Sequence, residues 1–529
     1  MKKLLEHKIK IIVSLALLCI SLFLVMHLRY SRLKKGEEFG VDVFYHITMA
    51  DAGPFFCLQK QFHHTVKSIW RTNFYDKEFL FHLYLSVIRK WEVMLGLHNT
   101  GPPFNTAYFF TVLLVFAVFT WVLYKAGGVP GLFALPAFIF LAPGFTNRLL
   151  MLRPHLFSIV LMIMSAWAFS TVRSKKQLWI PLLMAFLFVY SYSNPHFVVI
   201  PAFAVALILL AEKKIKLAVF LFTSAVAGFF IFMTLHPQFP NTFILWKVQC
   251  LDVVLEAVTK GNRGIASELR TPQSYWFKYN WQLFFIGAVN IGIFIFFAGK
   301  VAVKFLSEHR GWKSAGLLFR VIRRRLGRFT MILLILQSLY IILLCFSLRA
   351  VEYALPFSVL CFSALIFNLT GKRGVRQFYA VGIISLFLII TPGLLWHWTG
   401  KLQNIPSKEF ASYKLWAADH LERGAYVANL GWGDFTRLFY AAPHCRYMIA
   451  LDPMFGYAAF PDLYKRLRKF HRGEVPVYPE EMTKITGADF LFIGNADSSE
   501  SKRAFVMVKY MGYKPVYHGP DGTLFILKK

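Results

Sequence analysis

Residues 39–53 read FGVDVFYHITMADAG, and they follow closely on the first long apolar run of the chain, over 11–29. This stretch carries two carboxylates, Asp42 and Asp51, and one imidazole, His46, among aromatic side chains. Ionisable groups are costly within a bilayer. We therefore expect the chain to leave the membrane here and to present these groups at its surface.

The composition is that of a polytopic membrane protein. The chain has 529 residues, of which 57% are hydrophobic and 17% are aromatic. Many apolar runs approach or exceed the roughly 20 residues that cross a bilayer as a helix. With the run over 11–29 they predict about eleven transmembrane helices. The others lie at about 105–124, 130–142, 155–172, 178–192, 197–211, 216–235, 281–299, 329–348, 353–370 and 376–396.

Basic residues indicate which loops face the cytoplasm. Residues 1–10 are basic, and no small-residue cleavage site follows the first apolar run. This run is therefore predicted to be an uncleaved helix with a cytoplasmic N-terminus. With an odd number of helices, the cytoplasmic loops all hold Lys and Arg, as the positive-inside rule requires. These loops are 173–176, 212–216, 300–328 and 371–376.

Three long segments then lie outside the cytoplasm. They are a first outer loop over 31–103, a second outer loop over 236–280, and the C-terminal part. Residues 80–97 of the first loop are predicted to form an interfacial amphipathic helix or a helical hairpin packed on the membrane domain.

The composition changes near residue 397. From there the apolar runs shorten and strands alternate with helices, which is typical of an α/β domain. We predict an α-helical transmembrane domain over 1–396 and a soluble extracytoplasmic α/β domain over 397–529, in the bacterial inner membrane.

The net charge of +32 does not indicate nucleic acid, because most of the cations can be assigned to cytoplasmic loops and membrane lipids. The six cysteines show no CxxC and no metal-ligand spacing, so no zinc or redox motif is present. Cys57, Cys250 and Cys445 lie in predicted outer segments, where a disulfide is chemically permitted.

The first outer loop contains the ionisable groups best suited to chemistry. Besides the residues of the opening stretch, it holds Asp76, Glu78 and His82 in the sequence YDKEFLFH. A carboxylate near a helix end at the membrane surface can bind a divalent cation or act as a general base. The alternative is a solvated loop in which these acids balance nearby lysines.

Arginines on the same outer side are candidates for phosphate binding. Arg148 and Arg153 lie in a predicted turn, and Arg349 lies with Glu352 at the junction of two apolar runs. A guanidinium can bind phosphate through two parallel hydrogen bonds. The alternatives are lipid-headgroup contacts for Arg148 and Arg153, and an i, i+3 ion pair between Arg349 and Glu352.

Three further residues are candidates for acceptor binding. His236 lies in the second outer loop next to a proline, where histidines often serve loop packing. Trp432 and Asp434 lie at a predicted strand-to-helix turn, and open α/β sheets bind ligands at such turns. Asp434 is equally suited to cap the helix.

Several mechanisms have no support in the sequence. No Walker loop, GxSxG, HExxH or GxGxxG motif occurs in a suitable context. The predicted spans are nearly free of acids, whereas ion-coupled transporters often carry them there. The carboxylates lie in the outer loops instead, which favours chemistry at the membrane surface over translocation.

The layout and several short motifs resemble the GT-C class of membrane glycosyltransferases. DVFYH (42–46) is similar to the Asp, aromatic and His/Asn pattern in the first outer loop of oligosaccharyltransferase catalytic subunits. DKEFLFHLYL (76–85) is similar to the juxtamembrane helix of that loop. RPH (153–155), the arginine of SLRAVEY (347–353) and GWGDF (431–435) add to the likeness. GWGDF lacks the second Trp and the Tyr-Gly of oligosaccharyltransferases, and the first loop lacks the Asp-Glu pair of protein O-mannosyltransferases.

The resemblance implies a glycosyltransferase. It would move a sugar from a polyprenyl-phosphate-linked donor to a lipid, glycan or protein acceptor of the cell envelope. Asp42 would be the general base or would hold a divalent cation, Mg²⁺ or Mn²⁺. His46 and Asp51 would assist in catalysis.

The same resemblance assigns the donor phosphate to Arg349, with Arg153 as a weaker contact, and Arg148 is added to them from its position in the same turn as Arg153. Glu352 would have an accessory role beside them, as would the acceptor candidates of the outer segments. Two alternatives stay open: a transporter or flippase of a lipid-linked glycan, and an inactive assembly subunit with the same fold.

Overall fold

The computed structural model describes residues 2–96, 104–253, 272–308, 315–370, 382, 406–494 and 499–528. The predicted last span at 376–396, except Gly382, and the predicted loop 371–376 lie outside these residues. The chain divides into two compact units. The first contains Met1–Arg32, Tyr108–Phe232 and Ser267–Asn404, and the second contains Leu33–Ala107, Met233–Ala266 and Ile405–Lys529.

Apolar helices build the first unit. They are α1 (Lys2–Tyr30), α5 (Asn105–Gly131), α6 (Leu135–Phe140), α7 (Pro143–Leu149), α8 (His155–Thr171), α9 (Trp179–Ser191), α10 (Val199–Ala211), α11 (Ile215–Leu235), α13 (Ser274–Tyr279), α14 (Trp281–Glu308), α15 (Ala315–Leu326), α16 (Arg328–Leu344) and α17 (Val351–Thr370). Among the described residues, five helices are long and apolar enough to cross a membrane, or six if the bent pair α15–α16 is one span. The chain is an integral membrane protein.

The eleven predicted spans are not all recovered at full length. Helices α8, α9 and α10 are apolar but have only 17, 13 and 13 residues, fewer than the roughly 20 that cross a bilayer. The apolar run at 130–142 is interrupted, because α5 kinks at Gly128 and a separate six-residue helix, α6, follows.

Arg328, at the start of α16, connects the basic ends of several helices. Its guanidinium donates to the carbonyl oxygens of Ser170 and Val172 at the end of α8 (3.3 and 3.0 Å). It also donates to the carboxylate of Glu212 at the end of α10 (3.1 and 2.6 Å). Asn368, near the end of α17, donates to the last carbonyl of α15 (2.9 Å). Three of the four loops predicted to be cytoplasmic therefore meet at one end of this unit.

Glu212 should make the stability of this end depend on pH. Its side chain is 2% exposed and lies within 3.2 Å of Arg323 and Lys214 as well as Arg328. Burial alone would raise the pKa of Glu212, but the hydrogen bonds and charge of Arg328 hold this pKa below its ordinary value of 4.5. The unfolded chain therefore takes up this proton at a higher pH than the native protein does. The stabilisation is present above about pH 4.5 and is lost as the pH falls below it.

We expect Glu212→Gln to lower the free energy of unfolding at neutral pH by about 1.5–3 kcal/mol, the contribution of hydrogen bonds to charged groups. The difference from the wild-type protein should shrink below about pH 4.5 in thermal unfolding measurements. A difference that stays constant across this range would show that the carboxylate charge is not what stabilises this end.

The second unit contains a five-stranded sheet. Its elements are β1 (Glu37–Phe39), α2 (Asp42–Ala52), α3 (Pro54–Cys57), α4 (Phe79–Met94), α12 (Asn241–Trp246), β2 (Pro406–Lys408), α18 (Ala411–His420), β3 (Tyr426–Asn429), α19 (Trp432–Ala441), β4 (Arg446–Tyr447), α20 (Pro453–Ala459), α21 (Pro461–His471), α22 (Pro479–Thr486), β5 (Phe490–Gly494), α23 (Ser499–Tyr510), β6 (Lys514–Gly519) and β7 (Gly522–Ile526). The strand order is β4-β3-β5-β7-β6. β3 is parallel to β4 and β5, whereas β7 is antiparallel to β5 and β6.

The first outer segment folds together with the C-terminal segment. Strand β1 pairs antiparallel with β2. The N–H groups of Val66 and Lys67 donate to the carbonyl oxygens of Tyr447 and Met448, at 2.8 and 2.9 Å, beside β4. The sequence predicts that segment 31–103 belongs to the transmembrane domain. By its contacts, this segment belongs almost entirely to the second unit.

Helix α4 coincides with the amphipathic helix predicted near 80–97. Its Phe81 and Leu85 side chains are buried, whereas Val87, Trp91 and Met94 are exposed apolar side chains. An exposed apolar face of this kind suits a helix that lies at a membrane interface. The six cysteines, including the three in segments predicted to be outer, are free thiols.

Candidate active site

Helices α2 and α4 bring ionisable groups together in the interior of the second unit. Asp42 and His46 lie one helical turn apart on α2, and Glu78 and His82 lie one turn apart at the start of α4, so each pair shares a helix face. All four are buried, and α2 packs against α4. Asp42 is in the first turn of α2, where the helix dipole stabilises negative charge.

A hydrogen-bonded chain connects Asp76, His82 and His46. Asp76 Oδ2 lies 2.8 Å from His82 Nδ1, and His82 Nε2 lies 2.9 Å from His46 Nδ1. Two hydrogen bonds hold Asp76 in place. The backbone N–H of Glu78 donates to Asp76 Oδ1 (3.1 Å), and the backbone N–H of Asp76 donates to the side-chain Oε1 of Gln238 (2.9 Å). A carboxylate that accepts from Nδ1–H fixes the tautomer of His82, so that its Nε2 lone pair faces His46.

The same side chains form a candidate metal site. His46, Glu78 and His82 offer ligand atoms within 4.8 Å of one another, and so do Cys57, Asp76 and His82. Nitrogen ligands lie about 2.0–2.1 Å from a divalent zinc ion, so two nitrogens 2.9 Å apart can share one ion of this size. Asp76 would then orient His82 through its other nitrogen, as carboxylates often do at metal sites. Burial raises the pKa of the Cys57 thiol well above its ordinary value, and Asp76 adds to this, which favours the first group of ligands.

Asp51 lies in a different environment, near the end of α2. Arg89 of α4 donates to its two carboxylate oxygens (3.2 and 3.4 Å) and also to Glu92 (2.7 Å). The Asp51 side chain is 45% exposed. The structure thus places Asp51 in an ion pair between two helices, away from the hydrogen-bonded chain.

The first unit brings the predicted phosphate-binding arginines close to Glu352. Arg148, at the end of α7, donates to Glu352 Oε1 through Nε (2.7 Å) and through Nη2. Arg349 Nε lies 3.9 Å from the other carboxylate oxygen, to which the Tyr192 hydroxyl donates at 3.4 Å. Glu352 is fully buried, whereas the Arg349 side chain is 15% exposed. The principal partner of Glu352 is therefore Arg148, although an i, i+3 pair with Arg349 is also present.

Three arginine charges act on the same part of the first unit. The Arg349 guanidinium lies over the Tyr192 ring at 5.4 Å. The charges of Arg148, Arg153 and Arg349 all act on His155 at the start of α8. Guanidinium groups bind phosphate well, so these arginines stay candidates for a phosphate contact.

His236 is a buried neutral imidazole. Its ring packs edge-on against Tyr75 at 4.9 Å, and its Nδ1 accepts the backbone N–H of Gln238 at 3.2 Å. Burial lowers the pKa of His236 to about 4, although the charge of Asp76 acts in the opposite direction. At neutral pH it serves as an uncharged packing and hydrogen-bonding group.

Asp434 is buried where β3 and β5 end. Its carboxylate accepts from Arg437 (2.8 Å) and from the backbone of Gly494. Burial raises the pKa of Asp434 despite the charge of Arg437. Trp432, two residues earlier, is exposed. Asp434 thus connects α19 to β5, whereas Trp432 is accessible for contact with a ligand.

The sequence singles out Asp76, Glu78 and His82 in the first loop but does not join them to His46, whereas the structure brings His46 to His82 and, through it, to Asp76. The signal that could have grouped them is the repeated i, i+4 spacing of Asp42 with His46 and of Glu78 with His82. It indicates two helices that each carry an acid and an imidazole on one face.

Comparisons with known proteins establish the fold. No protein-family model matches the chain, and no curated protein is similar to it in sequence. The apo form of the Archaeoglobus fulgidus oligosaccharyltransferase has a TM-score of 0.58 at 12% identity, over 98% of this chain and 74% of that one. Oligosaccharyltransferase AglB from the same organism, in complex with an inhibitory peptide and a dolichol-phosphate, has a TM-score of 0.56 with the same identity and coverage. The expected likeness to GT-C glycosyltransferases is confirmed for the fold.

Proposed function

We propose that the chain is a glycosyltransferase that moves a sugar from a polyprenyl-phosphate-linked donor to an extracytoplasmic acceptor of the cell envelope. Among the proteins that share its fold is an oligosaccharyltransferase with dolichol-phosphate bound. The observation that carries the proposal is the buried hydrogen-bonded chain of Asp76, His82 and His46, with Glu78 beside it, between α4 and the helix that buries Asp42 one turn before His46. Burying so many ionisable groups is costly, and such clusters are typical of sites of chemistry.

Asp42 has the role of general base in this proposal. Its carboxylate takes the proton of the acceptor group as that group bonds to the anomeric carbon. The bond between this carbon and the donor phosphate breaks at the same time, and its electron pair leaves with polyprenyl phosphate. Direct displacement inverts the anomeric centre and needs no covalent enzyme intermediate.

Arg349 has the role of stabilising the leaving phosphate. Negative charge develops on the phosphate as the bond breaks, and fixed cationic donors stabilise such charge. Arg153 contributes to the same positive region. Arg148 is held by Glu352, so its first role is structural.

We place the N-terminus in the cytoplasm and the α/β segment on the extracytoplasmic side of a bacterial inner membrane.

A divalent cation fits the same cluster. His46, Glu78 and His82 would hold it, and the cation would supply Lewis-acid stabilisation of developing negative charge. Two imidazoles and a carboxylate suit a transition metal such as Mn²⁺ better than Mg²⁺.

Metal binding can be tested without activity. We expect the purified protein to bind Mn²⁺ in a calorimetric titration, and Asp76→Asn to weaken the affinity by about 10–100-fold, the usual effect of losing a carboxylate behind a ligating histidine. The matched control is Asp462→Asn, whose side chain is 95% exposed. Equal affinities for Asp76→Asn and the control would contradict a metal at this cluster.

The proposed activity is tested in liposomes that contain the purified chain, a polyprenyl-phosphate donor with a labelled sugar, and an extract of envelope acceptors. We expect the label to leave the lipid and polyprenyl phosphate to be released in equal amount. Label that stays lipid-linked but crosses the membrane would instead identify a flippase.

A further inference from the structure

Helix α15 is a basic amphipathic helix that is bent away from the apolar helix α16 that follows it. Its axis turns by 96° into α16. The bend lies at Gly327, whose φ of +79° favours glycine. Ile322 and Leu326 of α15 are buried, whereas Arg324 and Arg325 are exposed. The apolar face of α15 is thus covered by the protein, and its arginines face outward on a helix that lies nearly perpendicular to α16.

The arginines around this bend fall into two groups. Arg323 and Arg328 both pair with Glu212, at 3.2 and 2.6 Å. In the described part of the chain, no acidic residue pairs with Arg324 or Arg325. The inner group therefore shares the carboxylate of Glu212, and the outer group leaves a cationic surface.

Further cations lie at the same end of the unit. Lys175 and Lys176 follow α8, and Lys213 and Lys214 follow α10. Arg328 holds the ends of α8 and α10 next to the bend. The surface around α15 is thus basic, and its electrostatic complement is a leaflet that contains anionic phospholipids.

We propose that α15 is an in-plane anchor that binds the headgroup phosphates of anionic phospholipids through Arg324 and Arg325. A guanidinium matches the geometry of a phosphate, and the buried Ile322 and Leu326 hold α15 on the protein so that both arginines stay exposed. The interaction is separate from sugar transfer, and it does not depend on the proposed reaction.

The test uses the full-length protein in nanodiscs with equal amounts of phosphatidylglycerol and phosphatidylcholine. The protein is released from the nanodiscs, and the lipids that stay bound to it are identified by native mass spectrometry. We expect Arg324→Gln with Arg325→Gln to lower the retained ratio of phosphatidylglycerol to phosphatidylcholine by about five-fold for each arginine removed. If the double variant does not fold, each single variant is measured and should show about a five-fold decrease.

Two controls separate specific binding from general charge. Lys465→Gln with Lys469→Gln removes the same charge from exposed positions on α21 and should leave the ratio unchanged. Arg323→Gln should lower the melting temperature, because it breaks a contact with Glu212, but should keep the ratio. An unchanged ratio in the Arg324 and Arg325 variants, or an equal decrease in the α21 control, would overturn the proposal.

Discussion

Asp42→Asn should lower the rate of sugar transfer by about 10²- to 10⁴-fold, the usual contribution of a positioned general base. Asparagine keeps the size of the side chain but cannot accept the proton of the acceptor. Asp42 is buried in the first turn of α2, so the substitution removes a charge without opening a cavity. The measurement is the initial rate of label transfer in liposomes, with binding of polyprenyl phosphate determined on the same preparation. Binding should be retained while the rate falls.

Asp51→Asn is the matched control, because it removes a carboxylate from the other end of the same helix. Asp51 is half exposed and pairs with Arg89. Exposed ion pairs contribute at most about 1 kcal/mol, so we expect a small loss of stability and a rate close to that of the wild-type protein. Equal losses of rate in the two variants would remove the distinction between the two carboxylates.

Glu352→Ala should lower the free energy of unfolding by about 3–5 kcal/mol, the cost of leaving a buried charge without its partner. Arg148 is the group left uncompensated, because it donates to Glu352 from a largely buried position. The measurement is the thermal unfolding of detergent-solubilised protein, compared with an alanine variant of an exposed acid such as Asp462.

A double variant tests whether the ion pair is structural. Replacing a whole buried pair by apolar side chains of similar size is often neutral or stabilising. Arg148→Met with Glu352→Leu should therefore recover most of the stability lost in Glu352→Ala. A double variant as unstable as the single one would show that Glu352 acts mainly on Arg349 or Tyr192 instead.

The sequence was informative where the physical signal is local. Apolar runs predicted the long spans α1, α11 and α14, because a bilayer requires continuous hydrophobicity over one helix. The short helices α9 and α10 were harder to judge, since an apolar stretch of this length is equally consistent with a helix buried among others. Backbone breaks such as the kink at Gly128 depend on neighbouring helices and leave little trace in hydropathy.

The candidate site depends on contacts between distant residues. Asp42 and His46 share one helix face by their spacing alone, but nothing in the sequence indicates that the rings of His46 and His82, 36 positions apart, meet at 2.9 Å. Arg148 and Glu352 are 204 residues apart, so the sequence could suggest only the local pair of Glu352 with Arg349. The pairing of β1 with β2, which joins the first outer segment to the C-terminal one, is likewise a long-range contact.

The central claim is that the sugar passes directly from the lipid phosphate to the acceptor, with Asp42 taking the proton. The most direct measurement is the anomeric configuration of the transferred sugar, determined by NMR on product made from a donor of known configuration. Direct displacement predicts a product whose anomeric configuration is inverted relative to the donor. Retained configuration would require a covalent enzyme intermediate and would contradict the role assigned to Asp42.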